Sequence, residues 1–260
     1  MADFVFIRKS RNALSAVLHV IFNIILGIGS IVITIITGSW ILGIILVALS
    51  KWRVLAVRPR YWLANIKSSL VDLIVGASVV LITYCSGTEI MPIHYILCAI
   101  YVIWLIFIKP KSTEIFTEIQ SLTAIFLGAT AVVLMAASAN AIFMVAICYI
   151  IGYGAARHIM IQHDDQDFAL ITRVCGLISA EVAWLCHSWL IVYKFGSTGI
   201  IVPQFAIILT VLAFGFGRVY QSILKHDGKL KFSDVATPVI FSIIIIAVLV
   251  IGFSKPIFDI

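Results

Sequence analysis

From Ala13 to Ser50 the chain runs 38 residues without an Asp, Glu, Lys or Arg. A helix needs roughly 20 apolar residues to cross the hydrocarbon core of a bilayer. This run is therefore too long for one crossing and long enough for two, and only TGSW (37–40) offers a turn inside it. Apolar stretches separated by short polar breaks continue along the chain. Candidate spans fall near 13–35, 38–56, 68–86, 92–109, 120–138, 140–157, 168–193, 198–218 and 237–254. The first has the basic start of a signal peptide but outruns the usual apolar stretch of about 7–15 residues, and is read as a retained helix.

The expected fold is all-α: a polytopic integral membrane helix bundle of about nine transmembrane helices, forming a single transmembrane domain over residues 1–260. Composition agrees. The chain is 62% hydrophobic and 12% charged, whereas soluble domains carry about 25% charged residues. The net charge of +6 belongs to membrane topology rather than to nucleic acid. With the N-terminus cytoplasmic and the C-terminus outside, fifteen of the eighteen basic residues fall in cytoplasmic segments, as the positive-inside rule requires. This orientation places the protein in a cytoplasmic (inner) membrane. The five cysteines form no CxxC pair and sit in apolar stretches, so they read as core residues rather than a disulfide framework.

Two spans that enter from the cytoplasmic side share a pattern: SLVDLIVGAS (69–78) and SLTAIFLGAT (121–130), with a weaker echo in ALITRVCG (169–176). Tandem hairpins over 68–109, 120–157 and 168–218 are one reading. Small residues serving helix packing are the other.

Within ITRVCGLISAEVAWLCHSWLIVY (171–193), Glu181 is a carboxylate in the middle of a span. Such a group costs several kcal/mol unless neutralised, paired or hydrated, so it is expected to face the bundle interior or a water-filled cavity. At helical spacing Val174, Leu177, Trp184, Leu185 and Ser188 share its face, and His187 points away. Arg173 is about 12 Å nearer the cytoplasm, so a partner has to come from another helix; His19, Asn23, Thr83 and His94 are the candidates. Asp72 and Arg173, each about one turn inside its helix, suit an ion pair between the third and seventh spans, the alternative being an Arg173 that snorkels to the interface. Glu181, Arg173, Asp72 and His187 form the candidate set for a proton, ion or solute.

The loop 157–168 gathers His163, Asp164 and Asp167, which suit either a hard divalent cation or capping of the following helix. RPRYWLAN (58–65) resembles in part the RPxxWxxN pattern of intramembrane prenyltransferases, which hold a diphosphate with magnesium. The NDxxD pattern and a second Asp-rich motif of that family are missing here. The basic stretch 51–67, with Lys51, Arg53, Arg58 and Arg60, suits anionic lipid headgroups.

No nucleophile–base pair, P-loop, zinc spacing or dinucleotide fingerprint occurs, and no cofactor is implied. The leading expectation is a small transporter or permease-like protein for an ion or small, mostly apolar solute, with Glu181 as its binding or coupling residue. The alternatives are a membrane scaffold or assembly partner, and a magnesium-dependent lipid- or prenyl-modifying enzyme.

Overall fold

The computed structural model describes residues 2–52, 56–136, 140–161, 167–188, 190–226 and 228–253, with side chains from Val17 onward except at positions 136 and 197. Ten α-helices dominate these residues. Six are long and apolar enough to cross a membrane, or seven if the bent pair 59–68 and 70–85 is one span. The protein is all-α and membrane-embedded.

The apolar run at 13–50 breaks where a turn was expected. Helix α1 (Ala2–Thr37) ends before Gly38, whose φ of 59° is left-handed, and α2 (Trp40–Leu49) follows. A side chain is strained in that conformation, so glycine permits the reversal. The second helix has ten residues, about 15 Å of rise, and is much shorter than the expected span 38–56. A 3-10 turn (Pro59–Tyr61) and α3 (Trp62–Ser68) then lead into α4 (Leu70–Cys85) across a bend of 68°.

Helix α5 (Pro92–Ile103) passes into a π-turn (Trp104–Ile108), which leaves Lys109 beyond its end. Three long helices follow: α6 (Glu114–Ala136), α7 (Ala141–Met160) and α8 (Phe168–His187). An antiparallel hairpin, β1 (Val192–Phe195) and β2 (Ile200–Pro203), separates α8 from α9 (Gln204–Lys225); α10 (Phe232–Gly252) completes the fold. The expected spans 168–193 and 198–218 counted this hairpin as helix. Val192 and Ile200–Val202 are β-branched, and such residues pack well on a paired extended strand.

Helix α6 is the axis. One of its faces joins Ile31, Val75, Val79, Tyr101 and Trp104 around Ala124. The other joins Cys148, Ile151, Ala183, Phe205 and Leu209 around Ile125 and Ala129. Most hydroxyls within the helices bond back to their own helix, as in Ser78 Oγ donating to the Ile74 carbonyl at 2.6 Å and Thr130 Oγ1 to the Phe126 carbonyl at 2.7 Å. That satisfies them without a partner from a neighbouring helix.

Small residues set the closest approaches. Gly76 faces Val47 and the Tyr101 hydroxyl, Gly128 faces Ile151 and Ile74, and Gly176 faces Tyr149. The first two lie in the matching stretches of α4 and α6, and both meet a residue of the next helix. The third meets the helix before it. The tightest fit is Gly152 of α7, where a Cβ would collide with the Ser179 side chain and lie 3.0 Å from the Cys175 carbonyl.

Gly152→Leu is expected to destabilise the α7–α8 pair by about 1–3 kcal/mol, the usual cost of overpacking. Gly217→Ala, which meets open space, should leave the midpoint unchanged or slightly raised. Thermal unfolding of both variants in detergent checks this.

Candidate functional site

Charged and polar side chains from six helices meet where α2, α5, α7 and α9 end and α4 and α6 begin. Asp72, in the first turn of α4, bonds Lys51, just beyond α2, and lies 3.5 Å from Lys109, just beyond α5. All three side chains are about three-quarters buried. Two cations on one carboxylate leave the cluster positive.

Gln120 of α6 donates to the Ile108 and Lys111 carbonyls at 2.7 and 2.9 Å, and its Oε1 lies 2.6 Å from His158 Nε2. Ser121 Oγ donates to the Ala155 carbonyl at 3.1 Å. These bonds fix α6 against both α5 and α7.

Glu118 is the buried carboxylate that sequence reasoning missed. It is 7% exposed. Its Oε2 pairs with Arg218 of α9 at 3.0 Å, while its Oε1 is shut away from solvent with no hydrogen-bond partner among the described residues. Hydropathy started this span at 120, but the helix begins at Glu114, so Glu118 is already inside it. The available signal was spacing: Glu118, Leu122 and Ile125 recur at i, i+4 and i+7 and so lie on one face.

Leu122 and Ile125 line a cavity of about 250 Å³ between α6, α7, α8 and α9. Its walls are almost wholly apolar, with Ala156, Cys175, Ala213 and Phe216 among them. Glu118 stands on the cavity face of α6, one turn before Leu122. Glu118 does not itself line the hollow; its unused acceptor is buried one turn beyond the lining residue Leu122, on the same face of α6.

Glu181 sits elsewhere. It is exposed on the outer face of α8, together with Arg173, Val174, Leu177, Trp184 and Leu185. The shared face was read correctly, but its direction was not. The opposite face, with Thr172, Gly176, Ser179, Ala180 and Ala183, is the buried one, because small residues let α8 approach α7 closely. None of the four candidate partners is bonded to Glu181. His19 and Asn23 bond each other at 3.0 Å, Thr83 donates to the Val79 carbonyl, and His94 accepts from the Met91 N–H.

The expected Asp72–Arg173 pair does not form, since Asp72 turns to Lys51 and Lys109 and Arg173 is exposed. His187 is half-buried, and its Nδ1 has no partner among the described residues. His163 and Asp164 lie outside the described residues, as does Arg53. Asp167 holds the N-cap position of α8, where its carbonyl accepts from the Leu170 and Ile171 N–H groups. Among the described residues no cluster of three His, Cys, Asp or Glu could hold a metal.

Arg58 and Arg60 are exposed, Arg60 lies 4.5 Å over the Tyr61 ring, and Trp62 Nε1 donates to the Val57 carbonyl at 2.8 Å. No family model, curated protein or solved structure matches the chain.

Asp72→Asn leaves two lysines without their counterion and is expected to cost about 1–2 kcal/mol, reduced from the fully buried case by partial exposure. Arg173→Ala should change stability by less than about 0.5 kcal/mol. Denaturant unfolding in mixed micelles separates the two.

Proposed function

We propose that this is a permease-like protein of the cytoplasmic membrane, crossing it nine times with its N-terminus inside. It binds a small amphiphile: a mostly apolar body with a head that donates a hydrogen bond. The observation that carries this reading is the apolar cavity of about 250 Å³, with Glu118 one helical turn beyond its lining residue Leu122 on the same face of α6. An apolar hollow with a few placed polar groups is the usual form of a small-molecule site.

The unused oxygen of Glu118 accepts from the head, a hydroxyl or an ammonium, while Arg218 holds the other oxygen. An ionised head of negative charge is disfavoured there, because the carboxylate repels it. Glu118 therefore takes the role first expected of Glu181.

The segment 56–68 supports the placement in a membrane. Val57, Tyr61, Trp62 and Leu63 are exposed, and α3 turns away from α4 by 68°. This suits a stretch lying along the headgroups, where Arg58 and Arg60 meet anionic lipid.

The test is a chain-matched series of decane, 1-decanol, decylamine and decanoate added to the detergent-solubilised protein. At about 100 times its dissociation constant a ligand stabilises by about 2.7 kcal/mol, which corresponds to a rise of roughly 5–10 °C in a chain of this size. 1-Decanol and decylamine should produce it, and decane and decanoate should fall short. Ala213→Phe, which fills the cavity, should remove the rise for every ligand. Glu118→Gln should bring the alcohol and amine down towards decane. Equal shifts for all four heads, or shifts untouched by Ala213→Phe, would sink the proposal.

A further inference from the structure

The outer face of α8 carries two charges inside a span, Arg173 and Glu181, eight residues apart. Around them are large apolar side chains: Leu170 is 62% exposed, Leu177 54%, Trp184 63% and Leu185 65%. A scatter of exposed apolar residues is ordinary on a surface that faces lipid. An exposed carboxylate is not.

Glu181 lies 13 residues after Phe168 and six before His187, about 9 Å inside the outer end of the helix. That is too deep for a short side chain to reach water, whereas Arg173 has a long stem with which to snorkel toward the inner surface. A carboxylate at this depth is costly against hydrocarbon, and such groups are usually paired. Among the described residues none forms a hydrogen bond or ion pair with the side chain of Glu181 or Arg173.

We infer that this face docks a transmembrane helix of another protein that presents a basic side chain at the depth of Glu181. Charge decides the occupant. A second copy inserted the same way up and packed on the same face would set Glu181 against Glu181 and Arg173 against Arg173. An inverted copy would pair them across Leu177, since each is four residues from it, but the strong inward bias of the basic residues opposes two orientations in one membrane. No other described span offers an exposed cation at that depth to a neighbouring copy. Their exposed faces there are apolar, as with Ile96, Ile100 and Ile103 on α5 and Ile240, Ile244 and Val248 on α10. A foreign helix with a Lys or Arg opposite Glu181 satisfies the carboxylate, and Leu177, Trp184 and Leu185 supply the packing around the pair.

The inference rests on the reading that α8 crosses the bilayer; it does not depend on the cavity. The probe is a synthetic leucine–alanine transmembrane peptide with one Lys at the depth of Glu181, beside the same peptide with Leu there. Association with the full chain is read by energy transfer in phosphatidylcholine vesicles. The Lys peptide should bind about tenfold more tightly than the Leu peptide, the size of a polar contact between helices in lipid. Glu181→Gln and Glu181→Leu should each remove that advantage, while Arg173→Ala should preserve most of it.

Equal binding of the two peptides, or an advantage that survives Glu181→Leu, would overturn the proposal. So would strong self-association of two labelled copies that Glu181→Leu abolishes, because a second copy would then be the occupant. Failure of the crossing itself is read separately. In a chain whose five cysteines are replaced, Ser188→Cys should react with an impermeant thiol reagent from one side of the vesicle and Ser112→Cys from the other.

Discussion

In a bilayer nothing like the hydrophobic effect draws one apolar helix to another, so how closely two backbones can approach decides which faces meet. The glycines of this chain make that choice visible. Gly43 receives Thr34 and Val80, Gly76 receives Val47, and Gly152 receives Ser179. Each pairing removes bulk from one helix where its neighbour has some. Helix α6 can then serve both core clusters, and the large side chains of α8 are left on the outside.

The two ends of the bundle are held by different chemistry. At one end the ties are ionic or involve amides and imidazole: Asp72 with Lys51 and Lys109, Glu118 with Arg218, Gln120 with His158. At the other they are neutral. Gln204 Nε2 donates to the Leu249 carbonyl at 2.7 Å, and the Tyr193 hydroxyl to the Phe253 carbonyl at 3.1 Å, so the β-hairpin region caps the end of α10. The charged end coincides with the face to which topology assigns most of the basic residues. On the proposed topology, charge there is used twice, for orientation and for fastening.

Much of the fold was legible because a bilayer demands long apolar segments, and their lengths can be counted. The turn at Gly38 and the shared face around Glu181 followed from local geometry. Which way that face points did not, because lipid and protein interior are both apolar and hydropathy cannot tell them apart. The stripe Gly176, Ser179, Ala180 and Ala183 held the answer, since it marks the side where backbones approach. Glu118 was lost at a boundary set by average hydropathy, although its spacing with Leu122 and Ile125 was open to reading. The hairpin was missed because Val192, Tyr193 and Ile200–Val202 are as apolar as any helix.

The π-turn at Trp104–Ile108 has a bearing on all of this. Such a turn holds one residue more than the α-helix around it, which offsets whatever follows by about 100° around the axis. Lys109 is the first residue beyond it and meets Asp72. A helix of the same composition but one residue shorter would aim that ammonium elsewhere, and with it the Ile108 and Lys111 carbonyls that hold Gln120. For this stretch the number of residues is as much a part of the code as their identity, and a single deletion would be felt in α6 and α7 as well as in α5.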